Sequence, residues 1–199
     1  MISKLLLCVI VTVMLLLSSG CSTYSLPFNF KHVENLNETR VLDAIQVNEL
    51  QNYLDITPNY PVTVGEGIYP NNENFKLDKL ISIRRNFEDF DIDVDYRFTR
   101  GDSLLKNILY EWNYKDDSNT TKKQKRMKKL YLDLVKRLNS YLGEPTKIED
   151  IENVWRFENG SGFRISNLWL NDTKFNAYLF MLGNDDRKYY RIRLSIYQR

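Results

Sequence analysis

The sequence predicts an α+β domain: an antiparallel sheet of about six to seven strands with one long amphipathic helix packed on one face, preceded by short N-terminal helices. Three observations carry that expectation. Apolar residues recur at every second position in several stretches between residues 76 and 199, as half-buried strands require. One stretch, from Met127 to Leu142, instead repeats at threes and fours, which puts its apolar side chains on a single helical stripe. The alternating stretches are joined by short turns, which suit antiparallel neighbours, whereas parallel ones need a long crossover.

In chain order, residues 34–75 read as a helical and loop segment. Val41, Leu42, Ile45, Leu50, Tyr53 and Leu54 have loosely helical spacing, and Pro58, Pro61, Pro70, Gly65 and Gly67 then break any regular element. The domain proper is expected over 76–199. Leu77, Ile81 and Ile83 open it as a strand, and a turn falls at Asn86 to Asp89. Phe90, Ile92, Val94, Tyr96 and Phe98 then alternate with Asp89, Asp91, Asp93, Asp95 and Arg97, a strand with one apolar and one charged face. Arg100-Gly101-Asp102 is a turn. Leu104 to Tyr114 fits a helix through Leu104, Leu105, Ile108, Leu109 and Trp112, and a strand through Ile108, Tyr110, Trp112 and Tyr114. The tight turn before it and its β-branched and aromatic end favour the strand. The helical stripe of Met127, Leu130, Tyr131, Leu134, Leu138, Tyr141 and Leu142 is stopped by Gly143 and Pro145. Four further strands are expected at 154–158, 163–170, 175–182 and 189–197, separated by Asn159-Gly160, Asn171-Asp172 and Gly183-Asn184-Asp185.

Composition narrows the function classes. The chain has 199 residues, 28 basic against 26 acidic, a balance that gives no reason to expect nucleic acid as a partner. Its two cysteines, Cys8 and Cys21, both lie near the start, so the domain holds no pair for a disulfide. With His32 as the single histidine there is no Cys/His set for a metal and no Cys-His dyad; no metal and no cofactor are expected.

The start of the chain has the grammar of an export signal. Lys4 supplies a positive end, Leu5 to Leu17 an apolar run of about 13 residues, and Ser18-Ser19-Gly20 small residues at a cleavage point. The run is short of the roughly 20 residues that span a bilayer. Leu17-Ser18-Ser19-Gly20-Cys21 resembles the lipobox of bacterial lipoproteins. That resemblance implies a signal peptide over 1–20, a diacylglyceryl group and further acylation at Cys21, and a tether over 21–33. It also implies an address in the bacterial cell envelope, at the outer membrane because Ser22 stands where Asp would retain the protein at the inner one. The lipobox has Leu three residues before the Cys, and here that residue is Ser18. This leaves open an ordinary signal peptide cut after Gly20.

Within the domain the acidic strand is the first candidate for chemistry. Alternate residues on one strand face lie about 6.5–7 Å apart, a separation inverting glycosidases use, so Asp91, Asp93 and Asp95 are geometrically possible acid–base partners. Calcium is not expected: Tyr96 stands where the calcium loop needs Gly and Asp102 where it needs Glu. The competing expectation is a charged face whose carboxylates meet Arg84, Arg164, Arg191 or Arg193 across the sheet. Lys122 to Lys129 carries six cations at the helix start, suited to a solvated flank or to anionic headgroups. On the last strand, Tyr189, Arg191, Arg193 and Tyr197 point away from the helix face and form a candidate binding surface. Leu142-Gly143-Glu144-Pro145 followed by Trp155-Arg156-Phe157 is similar to the small lipoproteins of the outer-membrane barrel-assembly machinery, although seven strands exceed that fold. These features together lead to an anchored, non-enzymatic module with a protein or glycan partner, and to an anchored glycan hydrolase as the alternative.

Overall fold

The computed structural model describes residues 53–59, 77–99, 104–115, 120–152, 162–184 and 189–197. Cys21, the tether and the helical stretch expected over 34–54, apart from its last two residues, lie outside the described residues, as do Trp155 and the Arg100–Asp102 turn. The described elements are β1 (Leu54–Asp55), β2 (Leu77–Phe87), β3 (Phe90–Thr99), β4 (Leu105–Tyr114), α1 (Thr120–Leu142), β5 (Lys147–Glu152), β6 (Gly162–Trp169), β7 (Asn176–Asn184) and β8 (Tyr189–Tyr197). The eight strands form one open antiparallel sheet in the order β1-β2-β3-β4-β8-β7-β6-β5. It is two meanders set back to back: β4 and β8 meet in the middle, and β1 and β5 are the edges.

The α+β class with one helix on an antiparallel sheet is therefore as expected, but the sheet has eight strands and not six to seven. Two elements account for the difference. Leu54–Asp55, whose leucine fits the helical spacing of the N-terminal segment, pairs with Arg84 and Ile83 as a short edge strand. Ahead of the 154–158 stretch, which lies outside the described residues, β5 occupies Lys147–Glu152 and pairs along its whole length with β6. Lys-Ile-Glu-Asp-Ile-Glu carries no period of two, because its isoleucines fall on opposite faces. An edge strand can be that polar, since backbone pairing to one neighbour holds it. The ambiguous 104–114 stretch is a strand: Leu109, which supports the helical spacing, is buried on the face opposite Tyr110 and Trp112.

Cross-strand register shows how local pattern becomes a layer. β2 and β3 are joined by a two-residue turn, Glu88-Asp89, in which Glu88 adopts the left-handed region at φ 48°. From there Ile83, Val94, Tyr110, Leu194 and Leu179 line up across five strands on the inner face, under or beside the helix. Parallel to them run Ile92, Trp112, Ile192, Met181 and Ile165. These rows, with Met127, Leu134 and Leu138 of α1 at 0% exposure, are the main core. Each fully buried side chain of this kind stabilises by about 1.5–3 kcal/mol.

α1 lies against β8 and β7 and is fastened at both ends. Near its start, Arg126 Nε donates to Asp89 Oδ2 at 2.9 Å, tying one cation of the lysine tract to the β2–β3 turn. At its end, Gly143 takes a φ of 88° and its N–H reaches the Asn139 carbonyl at 2.9 Å, a left-handed cap open to glycine at little cost. Trp169 Nε1 donates to the Gly143 carbonyl (3.0 Å) and to Asn139 Oδ1 (3.2 Å), and Lys174 Nζ donates to the Tyr141 carbonyl (2.6 Å). Carbonyls that the last turn leaves orphaned are thereby paired, one with a cation suited to the helix C-terminus.

Candidate functional site

The outer face of the sheet holds the sequence-derived candidates, and its register assigns most of them structural partners. Arg84, Asp93, Glu111 and Arg193 stand side by side on β2, β3, β4 and β8. Arg84 grips Asp93 with two hydrogen bonds, Nε to Oδ1 at 2.6 Å and Nη2 to Oδ2 at 2.9 Å, and the carboxylate raises the guanidinium above its ordinary value. Asp95 accepts from Ser82 Oγ (2.6 Å) and Arg97 Nη2 (2.9 Å), and Lys115 Nζ stands 3.6 Å from Asp91. The acidic strand is thus a row of cation-matched carboxylates, but of the four arginines expected across the sheet only Arg84 meets it. Arg97 is on the same strand, Arg164 engages Glu149, and Arg191 and Arg193 engage Glu111. Among the described residues no group of three or more His, Cys, Asp or Glu is placed to hold a metal ion.

The β8 candidates divide. Arg193 Nε donates to Glu111 Oε2 at 2.5 Å, and Arg191 Nε lies 3.2 Å from the other carboxylate oxygen, so one glutamate gathers both guanidinium groups. Arg191 also stacks over the Tyr189 ring, 5.4 Å from its centroid. Tyr197 is not with them. It is 0% exposed, in a second apolar cluster with Leu168, Tyr178, Phe180 and Leu182 on the outer side of β6–β8, and burial pushes its phenol above the ordinary tyrosine value. Below it a chain of buried polar groups crosses the centre of the sheet: Arg97 Nη1 donates to Asn107 Oδ1, and Asn107 Nδ2 donates to Ser195 Oγ (2.7 Å) and to the Ile196 carbonyl (3.1 Å). That network locks β4 to β8 and is closed to solvent.

The open site is on the inner face. Because α1 covers β7 and β8, the sheet continues two strands beyond it. A groove of about 390 Å³ is left between the helix and the β5 edge. Its floor is Phe163 and Ile165 of β6 with Met181 of β7. One wall is Lys128, Tyr131 and Leu132 of α1; the other is Asp150 and Glu152 of β5. Each part has a local cause. Phe163 lies over Gly183, its cross-strand partner, where any Cβ would meet the ring at 2.3 Å. The Tyr131 ring is fixed by its hydroxyl, which donates to Asn167 Oδ1 at 2.5 Å, and burial raises that phenol above its ordinary value. Lys128 Nζ sits 5.9 Å above the Phe163 ring centroid. Leu132, 65% exposed, and Ile148, 68% exposed, are large apolar side chains at the helix surface and on β5.

Sequence reasoning missed this groove. Its walls come from a helix face that reads as solvated and from a strand without alternation. The available signal was Leu132, an apolar residue on the lysine side of α1, and two isoleucines in an otherwise charged hexapeptide after a helix stop. In comparisons with protein-family models, with curated proteins and with solved structures, nothing matches this chain.

Proposed function

We propose that this chain is a lipid-anchored module of a bacterial cell envelope, held at the outer membrane through Cys21, that binds a protein partner without catalysing a reaction. Support for the anchor is the Leu17–Cys21 stretch. The observation that carries the binding role is the groove between α1 and β5, an apolar floor open to solvent beside an exposed strand edge. The charge-matched outer face makes β2–β4 and β8 a scaffold. The hydrolase alternative would need free carboxylates at Asp91 and Asp93, and Lys115 and Arg84 stand against them.

Both halves are open to direct measurement. Labelled palmitate is expected on the wild-type chain and absent from Cys21→Ala; an unlabelled wild type that partitions into buffer removes the anchor. A photocrosslinker at Leu132 is expected to capture an envelope partner that the same group at Arg84 does not; capture only at Arg84 moves the site to the outer face. Turnover of envelope glycans that disappears in Asp91→Ala with Asp93→Ala would establish the hydrolase instead.

A further inference from the structure

We infer that β5 is a receptor for strand addition: an extended segment of another protein joins the sheet beyond Lys147–Glu152, with basic side chains opposite Asp150 and Glu152 and apolar ones opposite Ile148 and Ile151. The inference deepens the binding role proposed above and rests on it. Among the described residues β5 pairs only with β6, so its far edge presents a row of backbone donors and acceptors. Five of its six residues are exposed, Ile148 at 68%, and among the described residues nothing covers this edge. An uncovered edge strand is a template for a further strand, and a neighbouring pocket for its side chains adds selectivity to main-chain hydrogen bonding.

Charge identifies the occupant. Glu149, Asp150 and Glu152 give the hexapeptide three acids against the one cation Lys147. Lys147 Nζ and Arg164 Nη2 already engage Glu149, at 2.7 and 3.3 Å. Asp150 and Glu152 instead face the groove. A second copy of this chain is a poor fit. Two-fold pairing keeps inner residues opposite inner residues, so the registers with most overlap set Glu149 against Glu149 or Asp150 against Asp150, and like charges directly opposite destabilise a sheet. A partner strand with Lys or Arg opposite Asp150 and Glu152 matches both carboxylates. Those cations stand one strand spacing, about 4.8 Å, from the acids and on the same face, with Phe163 and Ile165 of β6 a second spacing beyond. Apolar residues opposite Ile148 and Ile151 complete the pair on each face. Read against β5 from Glu152 to Ile148, the partner runs basic, apolar, basic, any, apolar.

The probe is a blocked peptide, Ser-Arg-Val-Lys-Thr-Ile-Ser, titrated by fluorescence anisotropy into the purified full chain in detergent, with amide hydrogen exchange read at β5. Saturable binding is expected, with exchange over Lys147–Glu152 slowed at least about tenfold. N-methylation of the amides on one peptide edge should abolish binding, and on the other edge should leave it. The double variant Asp150→Lys, Glu152→Lys should bind the probe at least about tenfold more weakly and prefer a peptide with Glu in place of Arg and Lys; that exchange of preference separates lost recognition from lost fold. No saturable binding at millimolar peptide, indifference to N-methylation on both edges, or dimerisation of the chain through β5 in sedimentation each overturns strand addition. A partner captured at Leu132 while β5 exchange stays unchanged also overturns it and leaves the binding module standing.

Discussion

Replacing Gly183 by alanine tests the packing that shapes the groove. The new Cβ would lie 2.3 Å from Cε1 and Cζ of Phe163 and 3.0 Å from Cδ1 of Tyr190. Ordinary contact begins near 3.4 Å, so the Phe163 ring must retreat by about 1.1 Å or rotate out of the groove floor. Overpacking of this kind costs about 1–3 kcal/mol. Alanine also offers a strand slightly more than glycine does, about 0.5–1 kcal/mol, because less backbone freedom is lost on folding. Phe163 is itself half-buried, and its truncation to alanine removes the clash along with the floor. The double variant should therefore be more stable than the two single effects predict, by at least about 1 kcal/mol of coupling. Urea denaturation of wild type, both single variants and the double variant closes the cycle. Additive effects across the cycle would refute the account of Phe163 as a ring seated on a glycine.

Further outcomes follow from other contacts. Trp169→Phe strips the Gly143 carbonyl of its indole donor in a site 1% exposed, and should cost about 2–3 kcal/mol and speed amide exchange in the last turn of α1. The Arg84–Asp93 pair is short but its arginine is 42% exposed, so a double-mutant cycle should return only about 0.2–1 kcal/mol, shrinking as salt is added. The hydrogen bond from Lys147 holds Glu149 below its ordinary carboxylate value, so its contribution is present above the unfolded glutamate pKa and lost as pH falls through the lowered one. Glu149→Gln should therefore flatten the acid limb of stability, measured by denaturant midpoint below about pH 5. Burial raises the phenols of Tyr131 and Tyr197, so stability should hold up to the ordinary tyrosine value near pH 10 and fall beyond it, less steeply in Tyr131→Phe.

How much of this was legible depends on whether the cause is local. The alternation from Phe90 to Phe98 and the threes-and-fours stripe of α1 each report a face, and a face is a property of neighbouring residues. Gly143 marked the helix end because a left-handed cap selects glycine at one position. Arg84 as partner of the acidic strand could be anticipated from charge, but not that Glu111 gathers Arg191 and Arg193, because that contact spans 82 residues for Arg193. Tyr197 and Tyr189 share one face by spacing, yet the first is sealed and the second half-open, since burial depends on what lies beside the strand.

The sequence by itself determined the class of fold, the faces of the helix and of most strands, and the cysteine at which an anchor is expected. Those follow from periodicity, stop residues and one short motif, all confined to runs of a few residues. Only the tertiary structure decided that the two meanders meet at β4 and β8, that Lys147–Glu152 is a strand, and that α1 stops short of the β5 edge. Pairing across 88 residues leaves no local period, and an edge strand is held by backbone bonds to one neighbour, which nearly any side chains permit. The groove exists because a helix about 10 Å across cannot cover eight strands spaced about 4.8 Å apart.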